Sequence, residues 1–247
     1  MGKSIGSQII ASVFVNSLYM MANYPLVLVS TVLAPFSLLI AITFVSHGTL
    51  LPIAIGGAFI LSMIGAGTGM QQDLSHFKND FKLQDMVVSS PTSAAIYFLG
   101  MSVSELVYTI PVIIVLGILA FFYVHASLLG FAELAAVLII LFAFSCALGF
   151  VLSTFSSDVV ESWAYAGIVS TVLSALPPVY YPITYIPMPF QYLAYLSPAT
   201  YGAEIMQSIT GVVSFSGGML AVDWVVIIGV TLAMLAIAVK RSRWREK

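Results

Sequence analysis

Six runs of this chain are each about as long as a membrane is thick, hold at most one charged residue apiece, and would find no stable resting place in water. They are Leu26–Val45, Leu51–Met70, Ala94–Phe121, Leu128–Phe155, Val159–Leu176 and Met219–Val239. A hydrocarbon core of ~30 Å takes about 20 helical residues to cross, and a helix satisfies its own backbone hydrogen bonds there. Only 7% of the 247 residues are charged and 60% are hydrophobic, whereas a soluble domain is about a quarter charged. The sequence therefore predicts an all-α polytopic membrane protein with six transmembrane helices and no nucleic-acid partner. The third and fourth runs exceed the length needed, which implies tilt or extension beyond the bilayer, and Pro111 is a place where the third can kink.

All eight basic residues (Lys3, Lys78, Lys82, Lys240, Arg241, Arg243, Arg245 and Lys247) fall in the N-terminal segment, the connection between the second and third runs, or the C-terminal tail. With six spans these three regions share one side, which the positive-inside rule makes the cytoplasm. Both termini are expected there, with the connections at 46–50, 122–127 and 177–218 facing outward. No cleavable signal peptide is visible, and the single Cys146 sits in an apolar run as a small core residue.

Three segments outside the runs carry structure of their own. Residues 1–24 place Ser4, Gln8, Ser12 and Asn16 at helical spacing; the segment is either an interfacial helix on the cytoplasmic side or an extension of the first span. The connection at 177–218 opens "PPVYYPITYIPMPFQYLAYLSPATYGAE", with six of the eleven prolines and six of the twelve tyrosines. It is too apolar for a solvated tether and too broken by proline for one helix, and predicts an outward re-entrant or interfacial hairpin. The third segment, 71–92, contains "SHFKNDFKLQDMVVSSP", in which Phe77 and Phe81 recur at i, i+4 among alternating charges. That pattern predicts a short amphipathic helix offering apolar residues to a partner's groove.

Catalytic constellations are missing. There is no HExxH, no Gly-x-Ser-x-Gly and no paired His and Cys. His47, His76 and His125 are too dispersed for a metal cluster, so no metal is expected. "GAGTGM" (Gly65–Met70) lacks the Lys-Ser/Thr pair of a phosphate loop; its Gly65, Ala66 and Gly69 are expected to admit a neighbouring helix. Asp158 and Glu161 form a capping box for the fifth helix. Glu105 is the one acid deep in a span, a functional candidate with no second buried charge to partner it, whereas Glu133, Glu204 and Asp223 are expected to be solvated or interfacial.

The stretch "DFKLQDMVVSSPTSAAIYFLG" (Asp80–Gly100) resembles the cytoplasmic signature of the membrane subunits of ABC-2 type (type V fold) ABC transporters: an acid and an aromatic, an apolar pair, then Ser/Thr-Pro leading into the third helix. The outer stretch quoted above is similar to their second signature, an aromatic-Pro step, further Pro and aromatic, and a Pro-x-Thr-Tyr before a short helix. Lys78-Asn79-Asp80 stands where an Arg/Glu-rich run is common, and Gln207 near where an Arg often follows.

The resemblance implies a permease subunit of the cell membrane, not itself an enzyme and with no cofactor of its own. It implies dimerisation with a second permease copy and a separate cytoplasmic ABC ATPase that holds ATP and Mg. Phe77, Lys78, Asp80, Phe81, Lys82, Asp85 and Met86 would then be the coupling helix. Met63, Glu105, Ser170, Thr171 and Ser174 would line the substrate path, and Tyr181, Pro182, Tyr185, Pro198 and Tyr201 would cap its exit. Apolar or weakly polar lining favours hydrophobic or amphiphilic cargo of the drug, lipid or glycan class, most relatives being exporters. The alternative is an ion-gradient-driven transporter or channel built on Glu105.

Overall fold

The computed structural model describes residues 5–79, 93–156, 158–174 and 177–241, and among these there is no β-strand. Eight principal helices follow in order: α1 (Ile5–Asn23), α2 (Pro25–Val45), α3 (Leu51–Asn79), α4 (Ala94–Tyr123), α5 (Leu128–Ser153), α6 (Val159–Ser174), α7 (Pro198–Ile209) and α8 (Gly217–Arg241). Six of them, α1 to α5 and α8, are long and apolar enough to cross a membrane. The set differs in one member from the six runs of the sequence. The described part of α6 has 16 residues, about 24 Å of helix, and falls below spanning length. α1 meets the measures of length and composition instead. It is no extension of α2: Tyr24 leaves the helical region at φ −127°, ψ 61°, and Pro25 starts α2 afresh.

α3 is the centre of the bundle, packing on α2, α4, α5, α6 and α7. Lipid is as apolar as leucine, so such packing depends on close backbone approach and interhelical hydrogen bonds rather than on escape from water. The α3–α5 crossing has both. A Cβ added to Gly149 would lie 2.0 Å from the Gly67 carbonyl oxygen, and one added to Gly67 would lie 2.2 Å from the Ser145 backbone. Ser145 Oγ donates to the Met63 carbonyl across the same crossing at 2.6 Å. The small residues singled out in the sequence do something else: Gly65 faces open space and Gly69 faces Glu105.

Polar side chains join the remaining helices. Gln71 Nε2 donates to the Ser162 carbonyl at 3.0 Å, tying α3 to α6, and the Glu161 amide donates to Asp158 Oδ1 at 2.6 Å, the expected cap of α6. On α1, Ser12 Oγ lies 3.2 Å from Ser104 Oγ, and Asn16 Nδ2 donates to Met101 Sδ at 3.1 Å. The polar series of the N-terminal segment thus seats α1 on α4. Pro111 lies within α4, which continues past it as one helix.

Two buried clusters mark the two ends of the bundle. Met70, Leu74, Phe98, Phe150 and Ala238 meet at the end that bears Lys78 and Lys240, called here the basic end. Val124, Val179, Tyr180 and Ala199 belong to the larger cluster reaching the opposite, hairpin end. There, residues 177–197 fold back over the bundle. Val179 and Tyr180 are buried, and the Val179 carbonyl lies so close to Gly57 that a Cβ there would sit 2.5 Å from it. α7, capped by Ser197, holds the hairpin down. Its Gln207 Nε2 donates to the carbonyls of Pro178 and Tyr181 at 2.9 and 3.1 Å. Gln207→Ala is expected to leave both buried carbonyls without a donor at a cost of about 1–3 kcal/mol; a melting temperature equal to wild type in detergent would refute it.

Candidate functional site: an acid-bearing cavity along α3

A cavity of about 640 Å³ runs along α3 from Leu61 to Asp73. α1 contributes Asn16 and Met20, α2 contributes Thr31, Ala34 and Pro35, α4 contributes Glu105, Tyr108, Thr109 and Val112, and α6 contributes Ser170. The α3 wall is a stripe of small and polar residues at helical spacing, Ser62, Ala66, Gly69 and Asp73. Leu61, Pro35 and Val112 supply apolar wall, whereas Asn16, Gln72, Asp73 and Glu105 supply polar wall. Both chemistries and the volume suit a drug-sized amphiphile.

Glu105 is buried, and it has the partner that the sequence reading did not give it. Its carboxyl is hydrogen-bonded to that of Asp73, which belongs to α3 rather than to the polar connection beyond it. Two carboxyls can share a hydrogen bond only if at least one of them is protonated, so the pair carries at most one negative charge. Gly69 makes room for it, since a Cβ there would lie 3.4 Å from Glu105 Oε2. Thr109 Oγ1 donates to the Glu105 carbonyl at 2.7 Å, and Tyr108 is hydrogen-bonded to Thr31 of α2. These contacts place the acids where α2, α3 and α4 converge.

Of the residues expected along a path, Glu105 and Ser170 line this cavity. Met63 is buried in the large cluster, with its carbonyl engaged by Ser145. Thr171 is exposed and its hydroxyl bonds back to Gly167 at 2.8 Å. The side chain of Ser174 lies outside the described residues, as do Asp80, Phe81, Lys82, Asp85 and Met86 of the expected coupling helix. Phe77 and Lys78 belong to the last turn of α3, with Phe77 packed against the cluster at the basic end. The helical pattern at Phe77 is therefore continuous with the second span. Asp73, Tyr108, Thr31 and Asn16 were missed; the stripe ending at Asp73 was the available signal.

At the hairpin end, Pro182 and Pro198 are buried, Tyr181 stacks on the exposed Tyr185 with centroids 6.5 Å apart, and Tyr201 donates to the Tyr195 carbonyl at 3.0 Å. Beneath them lies a second acid pair. Glu204 of α7 and Asp223 of α8 are not solvated: they are 0% and 2% exposed. Tyr195 Oη donates to Glu204 Oε1 at 2.8 Å. Glu204 Oε2 and Asp223 Oδ2 have no other donor and their carboxyls face each other. Burial pushes the Glu204 carboxyl up to about 7 against the opposing pull of the Tyr195 hydrogen bond, with a smaller push from the neighbouring Asp223. His47 and His125 are exposed, and no metal-holding cluster exists among the described residues.

Apolar helices of spanning length, packed through glycine and hydroxyl contacts around an internal cavity, define a multi-pass membrane protein. The chain belongs to the ABC-2 type transporter family, which matches residues 7–210. The match takes in α1 to α7, and with them the cavity, the Phe77 region and the hairpin. No curated protein matches the chain at a significant level.

Proposed function

We propose that this chain is the membrane-spanning half of an ATP-driven exporter of hydrophobic or amphiphilic cargo, worked by a separate cytoplasmic ATPase. The basic end faces the cytoplasm of a cell membrane, the hairpin end faces outward, and two permease halves face each other across the path. The observation that carries this reading is the continuity of α3. One helix runs from beneath the hairpin, where Gly57 meets Val179, along the cavity wall, to Phe77 and Lys78 at its tip. A rigid element that both sites touch can transmit a shift from one to the other. Residues Phe77 to Met86 seat in a groove of the ATPase, with Phe81 as the anchor, because Phe77 is already shared with the chain's own core. Lys78, Asp80, Lys82 and Asp85 orient the contact.

Phe81→Ala is expected to leave the permease in the membrane and to uncouple ATP hydrolysis by the co-reconstituted ATPase from transport, so that ATP-driven transport is lost. Unchanged coupled transport would sink the assignment. One observation favours a second reading. The Asp73–Glu105 pair is the buried partner that an ion-gradient-driven transporter needs. That reading predicts transport by this chain alone, without ATP and lost in Glu105→Gln.

A further inference from the structure

The cavity along α3 has a feature that hydrophobic cargo alone does not require. Its wall carries two acids, and no Lys, Arg or His lines it among the described residues. The titratable groups that reach the pair are few. They are His76 of α3, Tyr97 and Tyr108 of α4, and Cys146 of α5. None of them is a fixed cation.

A negative charge held in a low-dielectric wall is costly unless a counter-charge comes to it. Here the charge faces room for a ligand: the same cavity that exposes the acids to an occupant continues past Gly69 to the apolar wall of Ala66, Leu61 and Val112. The acids thus lie toward the basic end, whereas toward the middle of the bundle the wall is hydrocarbon interspersed with uncharged hydroxyl groups such as Ser62 and Thr109. An occupant matching both must be charged at one end only.

We propose that this cavity binds one amphiphile with a single positive charge, the cationic head on the Asp73–Glu105 pair and the apolar body against Leu61, Ala66 and Val112. A monocation suits two adjacent carboxyls that can carry at most one charge between them and that face no basic residue in the wall among the described residues. Asp73 and Glu105 are then the specificity determinants, and anionic amphiphiles of the same shape are rejected by repulsion. This rests on the reading of the cavity as the cargo site and adds the cargo's charge.

The test uses the purified full chain in lipid nanodiscs, without ATPase, and two ions of nearly identical shape and opposite charge, tetraphenylphosphonium and tetraphenylborate. Binding above that of empty nanodiscs is measured by equilibrium dialysis. Wild type is expected to bind the cation at least about tenfold more tightly than the anion, and the Asp73→Asn, Glu105→Gln double variant to lose that preference. The amides keep the shape and a mutual hydrogen bond, and unchanged size-exclusion profiles and melting temperatures show that the fold is intact. Gly65→Leu enters open space beside the cavity and is expected to block binding without touching the acids. Equal binding of the two ions, or a double variant that binds the cation as wild type does, overturns the proposal. So does cation binding that survives Gly65→Leu. Because no ATPase is present, failure of ATP-coupled export leaves this result unaffected, and failure here leaves coupling to be judged by Phe81→Ala.

Discussion

Gly149→Ala is expected to prevent the bundle from assembling. The added methyl carbon would sit 2.0 Å from the Gly67 carbonyl oxygen and 3.0 Å from the Gly67 carbonyl carbon. Both are backbone atoms of a helix, so neither can swing aside as a side-chain tip would. α3 and α5 must separate, which also breaks the Ser145–Met63 hydrogen bond. Overpacking a side chain into a core costs about 1–3 kcal/mol, and wedging apart two backbones at the principal crossing should exceed that range. The measurement is the yield and melting temperature of detergent-solubilised protein, expected to collapse for Gly149→Ala and for Gly67→Ala. Gly65→Ala and Gly117→Ala meet nothing within 4 Å and should behave as wild type. A Gly149→Ala protein with wild-type yield and melting temperature would disprove the crossing.

The second large effect concerns pH and the seam between α7 and α8. In the unfolded chain the Glu204 carboxyl titrates near 4.5, and in the folded protein it is pushed up to about 7. The folded state therefore holds this proton more tightly than the unfolded state. Its contribution to stability is fully present at acid pH and is lost as pH rises from about 4.5 through about 7. The loss is on the order of 3 kcal/mol. Above that range Glu204 and Asp223 both carry charge at 0% and 2% exposure, with the Tyr195 hydroxyl as the donor to Glu204. Melting curves between pH 5 and pH 8 should show the wild type weakening with pH. Glu204→Gln, whose amide can donate permanently to Asp223, should flatten that dependence while staying folded. A wild type equally stable at pH 5 and pH 8 would contradict the buried pair. Since the seam anchors the hairpin, hydrogen exchange in residues 177–197 should rise along with the loss.

What could be seen beforehand differed from element to element. The spans, the capping of α6 by Asp158, the hairpin of prolines and tyrosines and the family were all visible in local patterns. The end of the second span was not, because a helix that leaves the bilayer need not break, and α3 continues unbroken to Asn79. Gly65 and Gly69 looked like helix contacts, and Gly67 between them was passed over. Only the rotation of α3 about its axis turned Gly67 toward Ser145 and Gly69 toward Glu105. Glu204 and Asp223 looked like surface acids because each lies near the end of a helix, and they are buried because α7 and α8 close over them.

Length and hydropathy by themselves determined that this chain lives in a membrane as a helical bundle, since the free energy of placing a segment in lipid depends on its composition and on helix rise alone. The placement of basic residues determined the expected orientation for the same reason. Tertiary structure alone decided that Asp73 meets Glu105, and so that the cavity along α3 has a pair of acids in its wall. Contact between side chains on different helices depends on tilt, rotation and depth, and no spacing within a single helix encodes those three quantities.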